Sequence, residues 1–90
     1  MSVNIEMSSF FGLYTNDTLS VDVEGKTVRE CLHALVERFP KLKRLLLDKN
    51  GNLARTYDYF INGQSVYPKD MNQPLKNGDK FSLLYVIHGG

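Results

Sequence analysis

The residues best suited to chemistry stand at the end of the chain, where Gly89-Gly90 follow His88 and the strand-like run Phe81-Ser82-Leu83-Leu84-Tyr85-Val86-Ile87. Lacking Cβ atoms, two successive glycines take almost any backbone angles and pass through channels too narrow for side chains. The Gly90 carboxylate would then stand at the tip of a flexible tail, residues 87–90, although a frayed terminus without a task has the same composition. With a pKa of about 3.5 such a carboxylate is ionised and unreactive at neutral pH. Adenylation is the simplest remedy. Attack on the α-phosphorus of ATP expels pyrophosphate, and a sulfur or nitrogen nucleophile then displaces AMP from the acyl adenylate. ATP and Mg²⁺ would belong to a separate activating enzyme, because this chain has no glycine-rich phosphate loop, and no cofactor bound to the chain itself is expected.

Rival groups are few. Cys31 falls on an apolar helical face, where a thiol packed among leucines stays protonated, so its expected role is structural. His33 falls on the polar side of the same segment, one turn from Glu37, and reads as a solvated surface residue. Two histidines and one cysteine supply no ligand set at metal spacing. The cluster Lys41, Lys43, Arg44 and Lys49 reads first as a solvated face and second as a docking patch for an acidic partner.

Ninety residues allow one small domain, 1–90, without room for the buried cleft most enzymes need, so the chain is not expected to be an enzyme by itself. A net charge of +1 gives no nucleic-acid footprint. The single cysteine excludes an internal disulfide and fits a reducing compartment. Neither a basic-then-apolar leader nor an apolar run of about eighteen residues occurs, so a soluble, cytoplasmic protein without membrane contact is expected.

The elements that must position the tail follow from periodicity. Val3, Ile5 and Met7, then Leu19, Val21 and Val23, alternate with polar residues and predict two half-buried strands. Turn residues Gly12 and Thr15-Asn16-Asp17 between them predict an antiparallel hairpin with a long loop, in which Phe10, Phe11 and Tyr14 close one end of the core. Thr27-Val28-Arg29-Glu30 has capping-box spacing and opens a helix whose face carries Val28, Cys31, Leu32, Leu35, Val36 and Phe39. Pro40 stops it. A short turn around Leu42, Leu45 and Leu46 ends at Asp48-Lys49-Asn50-Gly51. Tyr57–Ile61 is a third strand before the tight turn Asn62-Gly63, Ser65-Val66-Tyr67 a short fourth, and Lys80–Ile87 the last. One main helix covering a single sheet is an α+β architecture.

That order of elements, the Phe60-Ile61-Asn62-Gly63 turn, Leu75-Lys76-Asn77-Gly78-Asp79 before the last strand and the final Gly89-Gly90 resemble the MoaD/ThiS family of sulfur carriers across essentially the whole chain. The resemblance implies a ubiquitin-like β-grasp fold, a mixed sheet of four to five strands on one main helix. It also implies adenylation of Gly90 by a MoeB/ThiF-like enzyme and replacement of AMP by sulfur to give a thiocarboxylate. Residues Arg38 to Gly63 look more like the MoaD type, which implies sulfur delivery in molybdopterin biosynthesis with a MoaE-like large subunit as acceptor. ThiS-like members serve thiamine synthesis, and others serve cysteine or methionine synthesis or tRNA thiolation. The free carrier would be a monomer. His88 stands where many members have a small residue, and by the same resemblance it enters the partner's channel ahead of Gly89 and Gly90.

Period two in the last strand turns Phe81, Leu83 and Tyr85 toward the helix and Leu84 and Val86 away from it, where Phe60 joins them. An apolar patch on a sheet face without a second layer predicts that Phe60, Leu84 and Val86 dock the activating enzyme or the acceptor. Two other readings stay open: a modifier joined by an amide bond to target lysines, and an interaction domain whose tail is inert.

Overall fold

Alternation of apolar and polar residues builds the first hairpin. The computed structural model describes residues 2–85; Val86, Ile87, His88, Gly89 and Gly90, with everything expected of them, lie outside that range. Strand β1 (Ser2–Met7) buries Val3, Ile5 and Met7, and β2 (Ser20–Glu24) buries Val21 and Val23, paired antiparallel with Val3 opposite Val23. Leu19, expected to begin that buried face, precedes β2 and is exposed; its carbonyl still accepts from the Met7 amide at 2.8 Å. The connection is a 3-10 helix, Ser9–Tyr14, closed by Asn16 and Asp17 at positive φ. Short polar side chains bonded to nearby backbone tolerate that conformation.

Helix α1 (Val28–Arg38) buries Val28, Cys31, Leu32, Leu35 and Val36 on the sheet, each buried side chain stabilising by roughly 1.5–3 kcal/mol. Its first free amides are all satisfied. Val28 donates to the Gln73 carbonyl, Arg29 to Met71, and Glu30 to Thr27 Oγ1 at 3.1 Å. The capping box closes one residue early, because the Glu30 carboxylate accepts from the Lys26 amide at 3.0 Å and not from that of Thr27. Gly25 sits so close to this helix start that an added Cβ would lie 2.7 Å from Cys31 Sγ, which makes a side chain there impossible without displacement. Phe39 leaves helical angles before Pro40, and a 3-10 turn (Pro40–Leu42) leads into α2 (Lys43–Leu46), with Leu42 and Leu46 in the core.

Strand β3 (Tyr57–Ile61) turns through Asn62 and Gly63, φ +51° and +80°, into β4, which is only Gln64–Ser65. The expected Ser65-Val66-Tyr67 strand does not form. Val66 instead packs against the core, Tyr67 is fully exposed, and Pro68 has no amide with which to extend a ladder. Strand β5 (Lys80–Tyr85) completes a five-stranded sheet in the order β2-β1-β5-β3-β4, parallel to β1 and antiparallel to β3. This is a mixed-sheet, ubiquitin-like β-grasp fold with one main helix on one face.

The turn that launches β5 is tied on both sides. Asp79 accepts from the Lys76 amide at 2.7 Å and from Asn62 Nδ2 at 3.0 Å, while Asn62 Oδ1 accepts from the Lys80 amide at 2.9 Å. These hydrogen bonds hold the Asp79 carboxyl below its ordinary range, the Lys76 amide contributing most. A depressed carboxylate pKa stabilises the fold above its unfolded value near 3.8, and that contribution is lost as pH falls through the folded value. Urea unfolding of wild type and Asp79→Asn as pH is lowered through and below about 4 should show the wild type losing more stability than the variant.

Candidate functional site

The tail expected to carry the chemistry is fed by β5, and the structure places that feed at the middle of the sheet. Asn4 to Met7 pair with Lys80 to Leu83 on one edge of β5, and Tyr57 to Ile61 pair with Phe81 to Tyr85 on the other. Phe81 and Leu83 are fully buried. Tyr85 lies on their face by period, but it is 40% exposed, and its ring packs on Phe10 of the 3-10 helix with centroids 4.5 Å apart.

Phe10 belongs to an aromatic cluster at the root of the tail. Its ring is 6.4 Å from Tyr57 and 6.1 Å from Tyr14, Phe11 is 5.5 Å from Tyr57, and Tyr57 is 5.9 Å from Tyr85. Phe11 closes the core as expected. Phe10 does so only in part: with Leu13 and Tyr85 it leaves apolar surface open beside the exit of β5. Burial, then the neighbouring Tyr14 and Tyr85, raise the Tyr57 hydroxyl above its ordinary pKa. Sequence reasoning did not join Tyr57 and Tyr85 to Phe10, because no local periodicity links positions so far apart.

On the outer face, Phe60 pairs with Ser82 and Leu84 with Asp58, which makes Phe60 and Leu84 diagonal neighbours, each half-buried. Beyond them the same face is polar: Lys80 pairs with Glu6 at 3.1 Å, and Asn4 Nδ2 donates to Ser20 and Asp22. The apolar area is therefore confined to the β3–β5 half of the sheet.

The structure sets the other candidates apart from this region. Burial pushes the Cys31 thiol up to about 11, with Glu30 adding to the shift, and leaves essentially no thiolate for nucleophilic work at neutral pH. His33 is exposed on α1, near Gly51. Among the described residues no three His, Cys, Asp or Glu side chains are grouped so as to hold a metal ion, and no helix is long and apolar enough to cross a membrane.

The ThiS family profile matches residues 2–90, the tail included. The chain belongs to the ThiS family. A protein of Archaeoglobus fulgidus to which a sulfur-carrier role has been ascribed is 27% identical over 73 residues, covering 80% of this chain and 83% of its own. The fold is shared with SAMP1 from Haloferax volcanii, at a TM-score of 0.84 and 22% identity over 100% of both chains. It is shared equally with a chain of the BexX/CysO complex from Amycolatopsis orientalis, at 0.85 and 24% identity over 98% of this chain and 99% of that one. As a ThiS family member the chain is of the sulfur-carrier type, a family whose members act as substrates rather than catalysts.

Two consequences are measurable. Iodoacetamide at pH 7 under native conditions should leave Cys31 unmodified and label it only after denaturation, because a pKa near 11 allows roughly one thiolate in ten thousand molecules and burial blocks access. A double-mutant cycle on Phe10→Ala and Tyr85→Ala should give a coupling of about 0.5–1.5 kcal/mol in urea unfolding, the range for packed aromatic pairs.

Proposed function

We propose that this ThiS family member is a sulfur carrier whose Gly90 carboxylate is activated by a MoeB/ThiF-like enzyme. The observation that carries the reading is the family match, which runs through residue 90. The carboxylate attacks the α-phosphorus of ATP and pyrophosphate leaves; hydrosulfide then attacks the acyl carbon, AMP leaves, and a thiocarboxylate remains. With a persulfide donor the first product is an acyl disulfide, which a thiol reduces to the thiocarboxylate while itself being oxidised to a disulfide. ATP and Mg²⁺ are held by the activating enzyme, where basic groups and the metal stabilise the developing phosphate charge.

Phe60, Leu84 and Val86 dock that enzyme or the acceptor, and His88 and Gly89 enter its channel behind Gly90. The half-buried pair Phe60 and Leu84 supports this role, since it forms the apolar part of an otherwise polar face. A MoaE-like large subunit is the acceptor in this reading, as the segment Arg38 to Gly63 suggests. Amide formation with a lysine would consume the same adenylate, so a protein-modifier role is the alternative, in keeping with the small archaeal modifiers that share the fold.

The decisive measurement is native alkylation of the chain purified from sulfur-replete cells, followed by mass spectrometry of its C-terminal peptide. An alkyl adduct on Gly90 is expected; an unalkylatable tail rejects the carrier reading, and high-mass lysine adducts favour the modifier. Phe60→Asp with Leu84→Asp should leave the fold intact and weaken binding to the activating enzyme or the acceptor about tenfold or more. Complementation of a strain lacking the molybdopterin synthase small subunit tests the acceptor separately: failure with an intact Gly90 thiocarboxylate moves the acceptor to another sulfur pathway.

A further inference from the structure

The basic cluster lines a groove on the helical side of the molecule. His33 from α1, Lys43, Arg44 and Leu47 from α2 and its end, and Asp48, Lys49 and Gly51 from the following loop surround a concavity of about 500 Å³. A second concavity of about 340 Å³ shares His33, Lys43 and Leu47 and adds Val36, Glu37 and Pro40. Cationic side chains (Lys43, Arg44 and Lys49) and apolar ones (Val36, Pro40 and Leu47) line these concavities together.

Charge is distributed unevenly to match. The two linings carry Lys43, Arg44 and Lys49 against Glu37 and Asp48, a net +1, and with Arg38 and Lys41 beside them residues 33–49 are +3, whereas the whole chain is +1, which leaves −2 for the remainder. Lys43, Arg44 and Lys49 form no ion pair among the described residues. Asp48 is turned into its own loop, accepting from the amides of Asn50 and Asn52 at 2.8 and 3.0 Å. Gly51, at φ +77°, holds that loop open beside His33 Nε2.

We infer that this groove receives an acidic, amphipathic peptide segment of a partner protein. Its carboxylates meet Lys43, Arg44 and Lys49 while an apolar side chain lies over Val36, Pro40 and Leu47. Complementary charge beside aliphatic side chains favours a peptide over a nucleic acid, because Glu37 and Asp48 interrupt the cations and repel a continuous polyanion, whereas a peptide can place its carboxylates between them. The site is on a different face from Phe60 and Leu84 and does not depend on the fate of Gly90.

The test uses the full chain and a fluorescein-labelled dodecapeptide of mixed Glu and Leu at low salt. Saturable binding is expected, with amide shift changes at His33, Leu47 and Gly51. K43E/R44E should weaken it about tenfold or more, and raising salt from about 20 to about 200 mM should weaken it several-fold. Both residues are exposed, so unchanged melting should show that the variant folds; K49E replaces it if not. Absence of saturable binding, binding indifferent to the reversals, or shifts confined to Phe60 and Leu84 overturns the inference. Tighter binding of an RNA dodecamer does the same, as does self-association of the free chain that the variant abolishes, which would make the occupant a second copy.

Discussion

Strand β5 is hydrogen-bonded along both edges, parallel to β1 and antiparallel to β3, and the rest of the molecule depends on that double pairing. A strand so placed must bury its inward side chains, and Phe81 and Leu83 are accordingly at zero exposure against the face that α1 covers. Its direction is set where it begins. Gly78 and Asn77 bond to Ser2 of β1, while Asp79 and Lys80 bond to Asn62 of the β3 turn, so one turn fastens β5 between its two neighbours. The two short motifs, Phe60-Ile61-Asn62-Gly63 and Leu75-Lys76-Asn77-Gly78-Asp79, are therefore two halves of one hydrogen-bonded unit.

Central placement also fits the proposed carrier role, in which the chain offers its C-terminus to other enzymes. A segment that follows a buried, doubly paired strand starts from a rigid base, and the side chains packed at that base are aromatic. The perturbed groups all have structural causes. Cys31, Tyr57 and Tyr59 are raised chiefly by burial, and Asp79 is lowered by the turn it closes. What the fold supplies is presentation, and the surfaces flanking it differ in character: an aromatic root, a small apolar half-face on the sheet, and a cationic groove on the helix side.

Legibility varied with the range of the interaction. Helix α1 was readable to within a residue, because its cap, its face and its stop at Pro40 are all local. The Asn62-Gly63 turn was equally plain. Ser65-Val66-Tyr67 was misread as a strand, because β-branched and aromatic content cannot tell an edge strand from a segment that leaves the sheet and sends Val66 into the core. Leu19 was assigned to a buried face by alternation alone, yet the ladder places it outside β2. In the functional region, the shared face of Phe60 and Leu84 followed from period two, whereas the packing of Phe10 on Tyr85 and Tyr57 did not.

The sequence by itself determined the main helix and its buried face, the inward and outward sides of β1, β3 and β5, the α+β class and the scarcity of metal-binding and nucleophilic side chains. These properties depend on residues a few positions apart, where periodicity and capping act. Only the tertiary structure decided that β5 lies between β1 and β3, that the aromatic loop meets Tyr57 and Tyr85 at the exit of that strand, and that Lys43, Arg44 and Lys49 line a groove instead of a flat solvated face. Those outcomes depend on which distant segments bury one another's surface, a choice made by packing across the whole chain and not written in any local pattern.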